Sequence, residues 1–167
     1  NREASGKDPF TEDAGAYIRA TMKALHQPGI AAVGPGFGFP FDPPPRHADT
    51  FRIKAYERIP VGLGAPAQVK RILYQERLPI IAGVRTYFSN DSRRDGQWTC
   101  PPPAEMWVGG HAVVFVGFSP DIYDDETADR FYFLNSWGPQ WGHGGIGSVP
   151  ARFLTDNAYT FDLWTLT

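Results

Sequence analysis

His111 and Asn135 are the side chains whose types and spacing point most directly to chemistry. They bracket a stretch that runs from Gly109 to Gly145. His111 sits near the start of one apolar run, GGHAVVFVGF. Asn135 directly follows a second, FYFL, within FYFLNSWGPQWGHGG. If the two runs pair as an antiparallel hairpin, the start of one lies beside the end of the other. An imidazole then meets a carboxamide, which is two thirds of a Cys-His-Asn constellation for nucleophilic catalysis.

A lone histidine on an apolar strand is more often a satisfied core residue than a catalyst. The neighbours of His111 shift that balance. Gly109 and Gly110 let another backbone approach closely. Trp137 follows Asn135 closely enough to shield a His-Asn hydrogen bond from water, which would strengthen it. Ser136 and Trp141 are expected as structural neighbours of the site. The sequence has one cysteine, Cys100. It precedes three prolines, which carry no N–H donors to stabilise a thiolate, so an incidental thiol is the better reading. His26, His47 and His143 lack a catalytic context.

These residues need elements to position them. Tyr17, Ile18, Thr21, Met22 and Leu25 recur at helical spacing and predict a helix over 13–27, N-capped by Asp13 and stopped at Pro28-Gly29. Phe51 to Ile59 alternates as a half-buried strand would. A second helix is expected from Pro66 to Arg77, with Val69, Ile72 and Leu73 on one face. Ile80 to Phe88 reads as a central strand. Ser89 to Glu105 reads as a long surface loop. The two runs of the hairpin follow, joined by an acidic connection that lacks the ligand spacing and central glycine of a calcium loop. IGSVP is a short strand, Ala151 to Asp156 a helical turn, and Tyr159 to Leu166 a strand completing the sheet. Val33 to Pro45, with Phe37, Phe39 and Phe41, is expected to be an ordered connector.

Composition sets outer limits. The length of 167 residues suits one domain with a real core. With 18 Gly and 16 Pro, short strands and loops are favoured over a helix bundle. A formal net charge of -2 and the absence of a basic run argue against nucleic acid. No apolar run is long enough to suggest a membrane span, and no signal peptide is visible. The single cysteine excludes an intramolecular disulfide and favours a reducing compartment such as the cytoplasm, without excluding secretion. No metal or cofactor is expected.

The segments GGHAV and NSWGPQWGHGG resemble the C1 family of papain-like cysteine peptidases. Gly110-His111-Ala112-Val113 is similar to its histidine motif, and Asn135 to Gly145 to its asparagine motif N-S-W-G-x-x-W-G-x-x-G. Upstream, EDAGAYIRATMKAL, PFD and the Pro66 helix with LPIIAGV resemble the bacterial-type branch. The resemblance implies an α+β papain-like fold, a mainly antiparallel sheet or half-barrel with flanking helices. Residues 1–167 would form the C-terminal part of a single peptidase domain, with two helices in 13–77 and the sheet region in 80–167. It further implies His111 as general base and acid, and Asn135 as its orienting partner. Trp137 would cover the pair, and Gly110 and Gly15 would offer backbone to a polypeptide substrate. The nucleophilic cysteine of the family lies in an upstream helix not matched in this sequence. It is therefore expected on an N-terminal segment or a second chain, with this chain inactive alone. A pseudopeptidase that binds peptide or a partner protein is the second reading. An acyltransferase or transglutaminase on the same fold is the third.

Overall fold

A computed structural model describes residues 16–27, 29–31, 50–119 and 129–167. The chain divides into two compact units: Asn1–Tyr56 with Thr167, and Glu57–Leu166.

In the first unit, helix α1 spans Ile18–His26. Its expected cap, Asp13, lies outside the described residues. So do Gly15, His47, residues 33–45 and the acidic connection from 120 to 128. The helix begins after Tyr17, which is extended and exposed rather than part of the apolar stripe, while Ile18 and Met22 are buried. Gly29 adopts φ 94°, a left-handed conformation suited to the stop. Strands β1 (Ile30–Ala31) and β2 (Thr50–Phe51) pair antiparallel. The expected strand from Phe51 to Ile59 is interrupted. After β2 the backbone leaves this pairing, and Ala55 exchanges N–H···O bonds of 3.0 and 3.1 Å with Thr167. Pairing resumes in β3 (Tyr56–Arg58), the edge of a second sheet. Alternation persists through the break because sequence period does not report which sheet a strand joins.

The second unit holds the larger sheet. Helix α2 spans Ala65–Arg71 with Pro66 in its first turn, and continues as a wider i→i+5 turn over Ile72–Glu76. It stops at Arg77, whose φ of 56° is left-handed. The remaining elements are β4 (Ile80–Tyr87), the helical turn α3 (Phe88–Asp91), β5 (Trp107–Phe118), β6 (Arg130–Leu134), β7 (Ile146–Pro150), a 3-10 turn (Ala151–Leu154) and β8 (Thr160–Leu166). Strand β4 thus ends one residue earlier than its apolar run, and Phe88 is exposed. The order is β3-β8-β4-β5-β6-β7, and the pairs β8-β4, β4-β5, β5-β6 and β6-β7 are antiparallel. The architecture is α+β.

One face of this sheet builds the core. Ile80, Ala82 and Val84 of β4, Val113 and Phe115 of β5, Phe131 and Phe133 of β6 and Leu163 of β8 pack with Val69 and Ile72 of α2. Register places Ile80 opposite Phe115, Ala82 opposite Val113 and Val84 opposite His111. His111 therefore shares the core face of β5 and stands at its rim.

The segment read as a surface loop, Ser89 to Glu105, is instead partly internal. Trp98 is 0% exposed. Its backbone N–H donates to the Ser148 carbonyl at 2.9 Å, and the Ser148 backbone N–H donates to the Gly96 carbonyl at 2.8 Å. Gln97 and Ser148 form a parallel bridge, so the segment lies along β7. Asn90, also 0% exposed, bonds the backbone N–H and carbonyl of Thr99 at 3.0 Å each. Glycine makes this approach possible. A Cβ on Gly147 would lie 2.5 Å from Trp141, 2.7 Å from Phe133 and 2.9 Å from the Gly96 carbonyl oxygen. Gly147→Ala is expected to destabilise the fold by about 1–3 kcal/mol through overpacking. Equilibrium denaturation reads this directly as a lower midpoint with little change in slope.

Candidate active site

The β5-β6 register pairs Phe115 with Phe133 and Val114 with Leu134. One step further, position 135 lies opposite Val113, which makes His111 and Asn135 diagonal neighbours on one face, within reach of long side chains. The side chains meet. His111 Nε2 and Asn135 Oδ1 are 2.8 Å apart.

The direction of this bond follows from a second contact. The backbone N–H of Ser136 donates to the same Oδ1 at 2.8 Å. Only an oxygen can accept that N–H, so the amide orientation is fixed. Nε2–H must then be the donor to Asn135, and Nδ1 is the nitrogen left to take or give a proton. The Asn135 backbone is held too, since its N–H donates to the Gly145 carbonyl at 2.9 Å. Ser136 therefore acts through its backbone. The sequence identified it only as a neighbour.

Aromatic rings close one side. Trp137 stacks on His111 with centroids 5.1 Å apart and an interplanar angle of 27°. Trp141 meets Trp137 edge-on at 5.2 Å. Beneath them lies Trp98, 5.9 Å from Trp137 and 6.2 Å from Trp141. Trp98 escaped the sequence reading because its segment has no periodicity and is rich in polar residues and proline. The only local signal was an indole inside that polar stretch.

The remaining candidates separate clearly. Gly110 is exposed beside His111, and a Cβ there would lie 3.7 Å from the Phe161 ring. Gly15 lies outside the described residues. His143 is exposed in the tight loop before β7, where its backbone N–H donates to the Ile146 carbonyl at 2.9 Å. His26 bonds the Ile53 carbonyl in the first unit. Asp91, at the end of α3, was not singled out by the sequence. Burial raises its carboxyl pKa, and the positive charge of His111 opposes that rise. Cys100 packs partly buried against the core. Burial pushes its thiol pKa up, with Asp156 adding to the rise and Arg152 and Arg130 opposing it.

No family model matches the sequence. An uncharacterised peptidase C1-like protein of Acanthamoeba polyphaga mimivirus is 28% identical over 183 aligned positions, covering 96% of this chain and 54% of that protein. A cathepsin B-like protein of Giardia intestinalis is 49% identical over 37 residues, which cover 22% of this chain and 11% of that protein. The chain thus spans about half or less of the curated relatives it matches. Among solved structures, xylellain, a cysteine protease from Xylella fastidiosa, superposes with a TM-score of 0.74 at 26% identity, over 99% of this chain and 66% of that one. Procathepsin B of Trypanosoma congolense shares the fold, with a TM-score of 0.64 at 20% identity, over 92% of this chain and 54% of that one.

The environment of Cys100 has a direct chemical consequence. A raised pKa lowers the thiolate fraction at neutral pH, and the thiolate is the reactive form. Iodoacetamide should therefore alkylate Cys100 more slowly than an exposed free cysteine at pH 7. The rate should climb as pH rises, and the difference should vanish in denaturant. Fast alkylation of the native chain at pH 7 would mark Cys100 as an activated thiol.

Proposed function

We propose that this chain, which is similar in sequence and fold to papain-like C1 cysteine peptidases, supplies the His-Asn wall of a peptide-cleaving site. The observation that carries the proposal is the 2.8 Å His111–Asn135 hydrogen bond beneath the stacked Trp137. In this reading the nucleophilic thiolate comes from polypeptide outside this sequence, on an upstream segment or a second chain.

The chemistry follows from the bond's direction. The thiolate attacks a peptide carbonyl carbon, and a sulfur–carbon bond forms as the carbonyl π electrons move to oxygen. Hydrogen-bond donors around the thiolate stabilise the oxyanion. His111, protonated at Nδ1, gives that proton to the leaving amine as the carbon–nitrogen bond breaks. The neutral imidazole then takes a proton from water at Nδ1, and the resulting hydroxide cleaves the thioester. Throughout, Nε2–H stays on Asn135. A hydrogen bond to a charged group contributes about 1.5–3 kcal/mol, against about 1 for a neutral pair. The contact therefore strengthens as the imidazolium forms. The exposed Gly110, next to His111, is the backbone that a polypeptide substrate would meet.

The sheet face turned away from the core leaves Tyr132, Leu134 and Phe161 exposed around the small residues Gly110 and Ala112, a surface that an added segment would cover. Covering such a surface removes apolar area from water at about 25 cal/mol per Å².

Joining the upstream segment to this chain should produce thiol-dependent cleavage of peptide substrates that the chain alone does not perform. In that assembly His111→Ala should lower kcat by roughly three orders of magnitude or more. Asn135→Ala should cost about a hundredfold through misorientation, mainly in kcat. Activity that survives His111→Ala would refute the assignment. The joined protein should also melt more cooperatively than the chain alone. An equally cooperative, monomeric isolated chain would refute the proposed segment docking.

A further inference from the structure

Arg130 opens β6 and is only partly exposed. Its Nε–H donates to Ser148 Oγ at 2.9 Å, and its Nη2 donates to the carbonyls of Trp98 at 2.8 Å and Ser148 at 2.9 Å. These acceptors are uncharged. Burial pulls the guanidinium pKa down, so the setting works against the charge rather than rewarding it. An apolar side chain would fill the space with less desolvation. The placement gains its logic from what the guanidinium joins.

The fork reaches from β6 across β7 to the backbone of Trp98. That backbone is then held on both sides, because Trp98 N–H already donates to the Ser148 carbonyl at 2.9 Å. The Trp98 indole lies 5.0 Å from Phe133 and 5.9 Å from Trp137. Trp137 in turn lies 5.1 Å from the His111 ring. We propose that Arg130 is a positioning residue for His111, acting through Trp98 and Trp137: its fork fixes the floor on which the indole cover of the imidazole rests. A lysine cannot reproduce the role, since a single ammonium does not span Ser148 Oγ and the Trp98 carbonyl in one plane. The consequence for catalysis rests on the reading of His111 as the base. The coupling between Arg130 and the imidazole does not.

The test follows the imidazole itself in the native polypeptide, with isotope-labelled histidine observed by NMR. Stacking on Trp137 should displace the His111 ring signals from those of the exposed His143. Arg130→Lys and Arg130→Met should both move the His111 signals toward the exposed position. Ser148→Ala, which removes one acceptor and is a milder change, should move them part of the way. It decides the matter if the Arg130 variants do not fold. Val69→Ala, which opens the core at α2, should lower stability while leaving the His111 signals in place. In the active assembly, Arg130→Lys should reduce kcat several-fold with KM held. Unmoved His111 signals in the folded Arg130 variants, or in Ser148→Ala if those do not fold, would overturn the proposal, as would an equal displacement by Val69→Ala. A shifted signal with activity independent of His111 would instead uphold the coupling and refute the catalytic reading.

Discussion

The His111–Asn135 hydrogen bond demands an exact strand register, yet it is too weak to impose one. A neutral hydrogen bond contributes about 1 kcal/mol net. A slip of one residue between β5 and β6 would turn one strand's side chains to the opposite face and separate the pair. Such a slip would also expel Phe115, or Phe131 and Phe133, from the core, each buried aromatic being worth about 1.5–3 kcal/mol. All three are 0% exposed. The phenylalanines therefore choose the register, and the polar pair inherits it. His111 and Asn135 are the polar end of the apolar stripe that runs through Val113 and Phe133.

The same economy governs the environment of the pair. Trp137 keeps an exposed edge and stacks on the imidazole, and the rings of Trp141 and Trp98 pack against its indole. Trp98 reaches that place because the backbone near Gly96 approaches Gly142 and Gly147 more closely than side chains there would allow. Gly142 of the Asn135 to Gly145 motif and Gly147 just beyond it thus do more than turn the chain. They admit a distant segment, and that segment brings the floor of the indole cluster.

Local periodicity explains which parts of this arrangement were legible in the sequence. The apolar runs of β5 and β6 and the Pro66 helix could each be read from neighbours in sequence. The meeting of His111 with Asn135 followed from antiparallel pairing alone. Trp98 could not be found in that way. Its strand-like pairing with Ser148 joins segments about fifty residues apart, and nothing in SRRDGQWTCPPP alternates. The break between β2 and β3 was hidden for the opposite reason, since alternation continued while the hydrogen-bond partner changed. The amide orientation of Asn135 was also out of reach, because it depends on one backbone N–H at Ser136.

That single N–H has the widest chemical consequence. By fixing Oδ1 it commits Nε2 to carrying a proton in both charge states of the imidazole. Proton exchange is then confined to Nδ1. A ring free to flip would present either nitrogen and spend part of its time as the wrong tautomer. This ring offers one basic edge in a fixed direction, set by strand register below and by stacked indole above. Any nucleophile served by His111 must approach that edge, on the side of the ring away from Asn135. The basic edge is thus oriented by register and stacking alone, so a group that meets it finds it already in place.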